Sequence, residues 1–204
     1  MLREIDRWRI ILGKHIRALA GFSGQRACDR RLQSLLKAHL LKRNKIIYGV
    51  PSVYRLAYKA KMLIGANKRQ DKIRLDNVAH DIAVLDTAIY FTKRFNIPLK
   101  DIVTEKQLHS NDGFSTRTHY PDFIFTKDKQ RYCVEVELSL KSRDRLEKNI
   151  KTNFQKYKLQ IWVINSDFSK VSRLLRGYGK QYTNIKIIDI KEIQKYVKYD
   201  NEYK

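Results

Sequence analysis

The chain has 204 residues, 43% hydrophobic and 31% charged, with 43 basic residues against 21 acidic ones and a formal net charge of +22. That length allows one or two domains with a real core, and 3 prolines and 8 glycines exclude a collagen-like or linker-dominated chain. A charge this large carries a cost in self-repulsion that a polyanionic partner offsets, and nucleic acid is the usual one.

No apolar run approaches the roughly 18 residues of a membrane span. The opening M-L-R-E-I-D-R-W-R is too charged for a signal peptide. A cytoplasmic protein with no membrane partner is therefore expected. Cys28 and Cys133 have no Cys or His at metal-ligand spacing, so both read as reduced, buried thiols.

Residues 1–66 hold 15 basic and 3 acidic side chains, and so carry more than half of the excess charge. The short polar stretch I-G-A-N-K-R-Q-D reads as a brief linker, which divides the chain into domains 1–66 and 67–204. Within the first, Ile5, Trp8, Ile11 and Leu12 fall at helical spacing. Ile16, Leu19 and Phe22 predict a short second helix ending at Ser23-Gly24. A third helix runs from about Gln25 to His39, with Ala27, Leu32, Leu35 and Leu36 inward. Two strands then flank a turn at Gly49-Val50-Pro51-Ser52. Three helices followed by a basic hairpin is the order of a winged helix-turn-helix, whose third helix enters the major groove. Arg26, Arg30 and Arg31 sit in the half of that helix that meets bases or phosphates, and Lys42, Arg43, Lys45 and Arg55 decorate the wing. The same charges also suit an ordinary solvated surface.

The second domain opens with a helix from about Leu75 to Phe95, whose buried stripe is Val78, Ile82, Leu85, Ile89 and Thr92. Asn96-Ile97-Pro98 ends it. Strands follow over Lys100–Leu108, Tyr120–Phe125 and Tyr132–Leu138, with a polar loop over His109–Thr118 and a tight turn at T-K-D-K-Q. A basic helix from Ser142 to Tyr157, a strand over Leu159–Asn165, a helix over Ser169–Tyr178 and a strand over Ile185–Ile190 complete the order. The fold class is α/β, α+β overall: a winged helix-turn-helix, then an α-β-β-β-α-β domain around a mixed central sheet.

The stretch that carries chemistry is H-Y-P-D-F-I-F-T-K-D-K-Q-R-Y-C-V-E-V-E-L-S-L-K, from His119 to Lys141. Alternation along the third strand puts Tyr132, Val134, Val136 and Leu138 on one face and Cys133, Glu135 and Glu137 on the other. Two carboxylates two residues apart stand roughly 7 Å from each other and repel. Asp122, 13 residues before Glu135, is placed by the hairpin opposite the pair. Three converging carboxylates are what a hard divalent cation requires, which makes Asp122, Glu135 and Glu137 candidate ligands of Mg²⁺ or Mn²⁺. Such an ion polarises a phosphoryl oxygen and activates water for phosphodiester cleavage. Lys141 lies where a cation would meet the scissile phosphate. A solvated E-V-E face salt-bridged to nearby Lys or Arg is the competing reading of the pair. His119 stands three residues before Asp122, near the same site. His80 reads first as a structural hydrogen-bonder. None of the 12 tyrosines sits in a paired-His context, so no tyrosine nucleophile is expected, and Tyr157 reads as a packing residue.

Pro121-Asp122, then Glu135-Val136-Glu137, then Lys141, resembles the PD-(D/E)xK signature of restriction-endonuclease-like nucleases. The common pattern has Lys where this strand carries Glu137, so the lysine role passes to Lys141 or, as a weaker choice, to Lys148. The chain also resembles the replication-relaxation family, which includes the MobC-type relaxases of mobilisable plasmids and integrative elements. That resemblance rests on G-F-S-G-Q-R-A-C-D-R-R-L (21–32), Y-G-V-P-S-V-Y-R-L (48–56), His80-Asp81, Glu105, H-Y-P-D (119–122) and E-V-E-L-S-L-K-S (135–142). It implies a DNA-binding winged helix fused to a metal-dependent nuclease-like domain. Asp122, Glu135 and Glu137 would match its acidic positions and Lys141 its lysine. His80, Glu105 and His119 would support the ligands from behind.

The partners implied are DNA, other mobilisation or replication proteins, and a second copy of the chain. The expected function is a relaxase-like endonuclease that nicks DNA at a specific site. The alternative is a non-catalytic DNA-binding protein with a degenerate nuclease-like domain. A transposition endonuclease subunit is a third reading.

Overall fold

The computed structural model describes residues 1–46, 51–67, 73, 75–112, 118–139, 142–166 and 169–202, and their side chains except those of 76, 169 and 198–202. The chain forms two units, Met1–Ile89 with Lys198–Lys204, and Tyr90–Val197.

In the first unit, α1 (Leu2–Arg7) is followed by β1 (Ile11–Leu12), α2 (Gly13–Leu19), α3 (Gln25–Lys37), β2 (Leu41–Asn44), β3 (Val53–Leu56) and α4 (Tyr58–Leu63). The three strands form an antiparallel sheet in the order β1-β3-β2. Helix, strand, two helices and two strands is the winged helix-turn-helix order. Ile11 and Leu12 do not continue the first helix, as their spacing predicts. Arg9 takes a left-handed φ of 60°, and the next residues pair instead with β3, Ile11 to Tyr54 and Leu12 to Val53. The corner between α2 and α3 depends on Gly21, at φ 67°. The Phe22 N–H then bonds back to the Arg17 carbonyl at 3.2 Å, which closes the helix end. His39 fills the same left-handed position after α3.

On α3 the buried residues are Cys28, Leu32 and Leu35, with Ala27 and Leu36 half-buried. Ile10, Leu12, Val53 and Val78 form a core onto which Ile46, Ile73 and Ile82 pack. Val78 and Ile82 come from α5 (Leu75–Arg94), which crosses from the first unit to the second after Ile89. Gly49 and Val50 of the expected hairpin turn, and the second half of the expected linker, lie outside the described residues.

The second unit carries β4 (Ile102–Thr104), α6 (Glu105–Asn111), β5 (Phe123–Lys127), β6 (Gln130–Glu137), α7 (Arg143–Lys156), β7 (Leu159–Ile164), α8 (Ser169–Tyr178), β8 (Ile185–Asp189) and α9 (Ile190–Glu202). The five strands lie in sequence order. The first three are antiparallel, and β7 and β8 run parallel to β6. With the end of α5 in front, the mixed sheet is as expected, but the order is α-β-α-β-β-α-β, because α6 stands between β4 and β5 where a strand end and a loop were expected.

The expected strand over Lys100–Leu108 is corrected to three residues. Thr104 stops it by capping α6: its Oγ1 accepts from the Gln107 N–H at 3.4 Å, and Gln107 Oε1 accepts from the Thr104 N–H at 3.0 Å. His109 therefore belongs to a helix rather than to a loop. Thr104→Ala should lower the unfolding free energy by about 1 kcal/mol, measured by urea denaturation. The hairpin turn Asp128-Lys129 has two left-handed residues, φ 50° and 59°, as a two-residue turn of this kind requires. The structure adds α9 after the last expected strand, and its inward Ile190, Ile193 and Val197 keep helical spacing.

Both sheet faces are covered. On one, Phe91 packs near the rings of Phe123 and Phe125, and Phe125 stacks on Tyr132 at 5.1 Å. On the other, Leu146 and Ile150 of α7 and Val171 and Leu175 of α8 pack with Trp162 and Ile164.

Candidate active site

The β5–β6 hairpin decides where the acidic residues go. Phe123 pairs with Val134, so the continued register sets Asp122 opposite Glu135. Pro121 has no N–H to extend the ladder. The Asp122 side chain extends it instead: Oδ2 accepts from the Val136 N–H at 2.7 Å. The Asp122 carbonyl accepts from the Glu105 N–H at 2.9 Å. Asp122 is thus tied on one side to the start of α6 and on the other to β6.

Glu135 shares its strand face with Cys133 and Glu137, and β7 sets Gln160, Trp162 and Ile164 beside these three in register. That is the face beneath α7. Glu135 is consequently only 7% exposed. Both of its hydrogen bonds fall on Oε1, one from Asn153 Nδ2 at 2.8 Å and one with His119 Nε2 at 2.6 Å. Burial pushes the Glu135 carboxyl above the usual carboxylate range. The His119 and Asn153 contacts oppose that shift without cancelling it, while the charge of Asp122 adds to it. Beside this pair, His109 Nε2 lies 3.5 Å from Glu105 Oε1 and meets the Tyr120 ring edge-on at 4.9 Å.

The structure therefore brings together Asp122, Glu135 and His119, and ties Glu105 to Asp122 through the backbone. Glu137 is half-buried, one step further along the same strand face. His80 lies in the first unit, 3.8 Å from Asp81. Lys141 lies outside the described residues, and Lys148 is exposed on α7. Among the described residues no three His, Cys, Asp or Glu side chains gather as a metal-binding group.

Sequence reading missed Asn153, which reaches Glu135 from 18 residues away. The available signal was Asn149 and Asn153 one turn apart on the apolar side of a basic helix. The Asn153 Oδ1 is buried and accepts no hydrogen bond among the described residues. Two mutually repelling carboxylates and an unsatisfied amide carbonyl are hard oxygen donors, which fit a hard divalent cation. The neighbouring Cys133 does not alter that preference, because burial pushes its thiol upward and disfavours a thiolate. Burial also pushes the Tyr157 hydroxyl up to about 12, opposite to what activates a phenol nucleophile.

In the first unit, Arg26, Arg30, Gln33 and Lys37 recur at i, i+4, i+7 and i+11 and form one exposed line opposite Cys28, Leu32 and Leu35. Arg31 is exposed on a different flank. On the outer strand β2, Lys42, Arg43 and the following Lys45 are exposed. Lys42 stands directly across from Arg55, whose Nε donates to Asn44 Oδ1 at 3.2 Å. Like charges paired this way are unfavourable until an anion lies between them. On α7, Arg145, Lys148 and Lys156 form an exposed basic line next to the side that carries Asn149 and Asn153.

No protein-family model matches the chain, and no curated protein or solved structure matches it. Among the described residues no helix is long and apolar enough to cross a membrane.

Proposed function

We propose that the chain is a DNA-binding, Mg²⁺- or Mn²⁺-dependent endonuclease that nicks DNA at a specific site, relaxase-like, in mobile-element transfer or replication. The observation that supports it most is the placement of Asp122 across from buried Glu135, a pair whose repulsion a divalent cation relieves. When bound, the cation polarises a phosphoryl oxygen and lowers the pKa of a water. Asp122 and Glu135 hold it, Glu137 stands at the next position on the same face, and His119 keeps Glu135 in place. The basic line of α7 receives the phosphodiester backbone. The line Arg26–Arg30–Gln33–Lys37 reads the major groove, and the wing holds the flanking phosphates. In this reading the chain works in the cytoplasm with other mobilisation or replication proteins and with a second copy of itself.

The test is incubation of supercoiled plasmids carrying candidate origins with the protein. Open circles should accumulate with Mg²⁺ or Mn²⁺ and stop on chelation. DNA binding without nicking, with every origin and both ions, would leave a non-catalytic DNA-binding protein. That second reading draws on Glu137, which occupies the position where the nuclease signature has lysine.

Both readings predict affinity that falls steeply with salt, because each neutralised phosphate releases counterions. Alanine at the wing residues Lys42 and Arg43 together should reduce the slope of log affinity against log salt by about 2, while alanine at Arg30 should mainly relax the sequence preference. Fluorescence anisotropy across a salt series measures this.

A further inference from the structure

Helix α7 turns two asparagines toward the sheet, Asn149 and Asn153. Asn153 is 1% exposed. Its amide is half satisfied: Nδ2 donates to Glu135 Oε1 at 2.8 Å, while Oδ1 is buried with no donor among the described residues. A buried carbonyl without a partner costs about 1–3 kcal/mol, so a group kept in that state calls for a missing partner. The partner is not Glu135, which already receives the Nδ2 bond, and it is not His119, whose Nε2 lies on the same Glu135 oxygen. Because Oδ1 and Nδ2 share one carbon, the orphan oxygen stands within a few ångströms of the Glu135 carboxyl. Glu135 Oε2 carries neither of that carboxyl's hydrogen bonds. The Asn153 amide and the Glu135 carboxyl, held together by that bond, thus each keep one oxygen outside it under α7, and Asp122 is close enough for its charge to act on Glu135.

We infer that Asn153 Oδ1 is a direct ligand of the divalent cation held by Asp122 and Glu135, and that its Nδ2 orients Glu135 for the same ion. The inference rests on the metal-dependent reading above. It assigns the helix after the acidic strand a neutral oxygen donor, so that three oxygens from three elements surround the ion without a third negative charge. Neutral amide carbonyls are ordinary ligands of hard cations.

The experiment is titration of the full chain with Mn²⁺, followed by calorimetry and by the loss of the free-ion electron paramagnetic resonance signal. Thermal melts in chelator verify folding. Wild type should bind Mn²⁺, Asp122→Ala should lose most of the affinity, and Asn153→Ala should weaken it about tenfold. Unchanged Mn²⁺ affinity in Asn153→Ala, with Asp122→Ala impaired, overturns the ligand role and leaves the metal site standing. A wild type that takes up no Mn²⁺ overturns both. If Asn153→Ala does not fold, wild type labelled with ¹³C carries the test. The Asn153 side-chain carbonyl resonance should move on saturation with Mg²⁺, by more than that of Asn149. A resonance that stays in place while Mg²⁺ binds rejects the ligand.

Discussion

Alanine in place of Asp122 or Glu135 is expected, on the proposed metal-dependent nuclease reading, to slow plasmid nicking by on the order of a thousandfold, with DNA affinity little changed. The size follows from what a bound cation contributes to a phosphoryl-transfer barrier, several kcal/mol at about 1.4 kcal/mol per tenfold in rate. The two positions differ in what else they do. Asp122 also accepts from the Val136 N–H, so Asp122→Asn, which keeps an acceptor, is the cleaner removal of charge. Glu135→Gln keeps an oxygen for Asn153 and His119 while deleting a buried charge that burial and Asp122 both disfavour. The metal-free Glu135→Gln protein should therefore melt no lower than wild type at neutral pH while nicking as poorly as Glu135→Ala. Single-turnover nicking rates and chelator melts together measure this. A Glu135→Gln protein that nicks at the wild-type rate would remove Glu135 from the site.

The second large effect lies in the first unit and concerns stability. His15 is fully buried, and its Nδ1 accepts from the Leu12 N–H at 3.3 Å, which leaves the proton on Nε2 for Asp86 Oδ1 at 2.8 Å. Lys14 Nζ binds both Asp86 oxygens, at 2.8 and 3.1 Å. Asp86→Ala strands the His15 donor, and unfolding free energy should fall by about 3 kcal/mol, at the low end for a broken buried pair because Lys14 can turn to water.

The pH dependence has a definite sign. Burial lowers the His15 pKa despite the Asp86 hydrogen bond, so the unfolded chain takes up that proton first. Stability from His15 is present above about pH 6.5 and declines as pH falls below it. Burial alone would raise the Asp86 carboxyl, but the His15 hydrogen bond and the charges of His15 and Lys14 leave it lowered. Its contribution is present above about pH 4 and is lost as pH falls through its folded value. Wild type should lose stability in both windows and Asp86→Ala only in the upper one, as read by urea denaturation across pH.

Much of the architecture was legible because it rests on periodicity and local turn chemistry. Leu32 and Leu35 mark α3 by spacing alone, and a run as apolar as Leu159–Ile164 needs a sheet interior. The failures are places where a distant partner decides. Ile11 and Leu12 form a strand because β3 offers them a ladder. Ile102 to Leu108 satisfies strand alternation until Thr104 and Gln107 cap each other. Strand alternation located Glu135 and Glu137 on one face and the hairpin brought Asp122 across. Nothing local said that the same face lies under α7, or that Asn153 would reach Glu135 over 18 residues. Burial of a carboxylate is a tertiary property, and so is its raised pKa.

Helix α3 is anchored by Cys28, Leu32 and Leu35 and by the turns at its ends, while Arg26, Arg30, Gln33 and Lys37 are all exposed. Exchanges along that outer line should each move stability by no more than about 0.5 kcal/mol. The scaffold can then be kept while the line is rewritten, so, on the proposed DNA-binding reading, a randomised library at these four positions is a practical route to retargeting the chain.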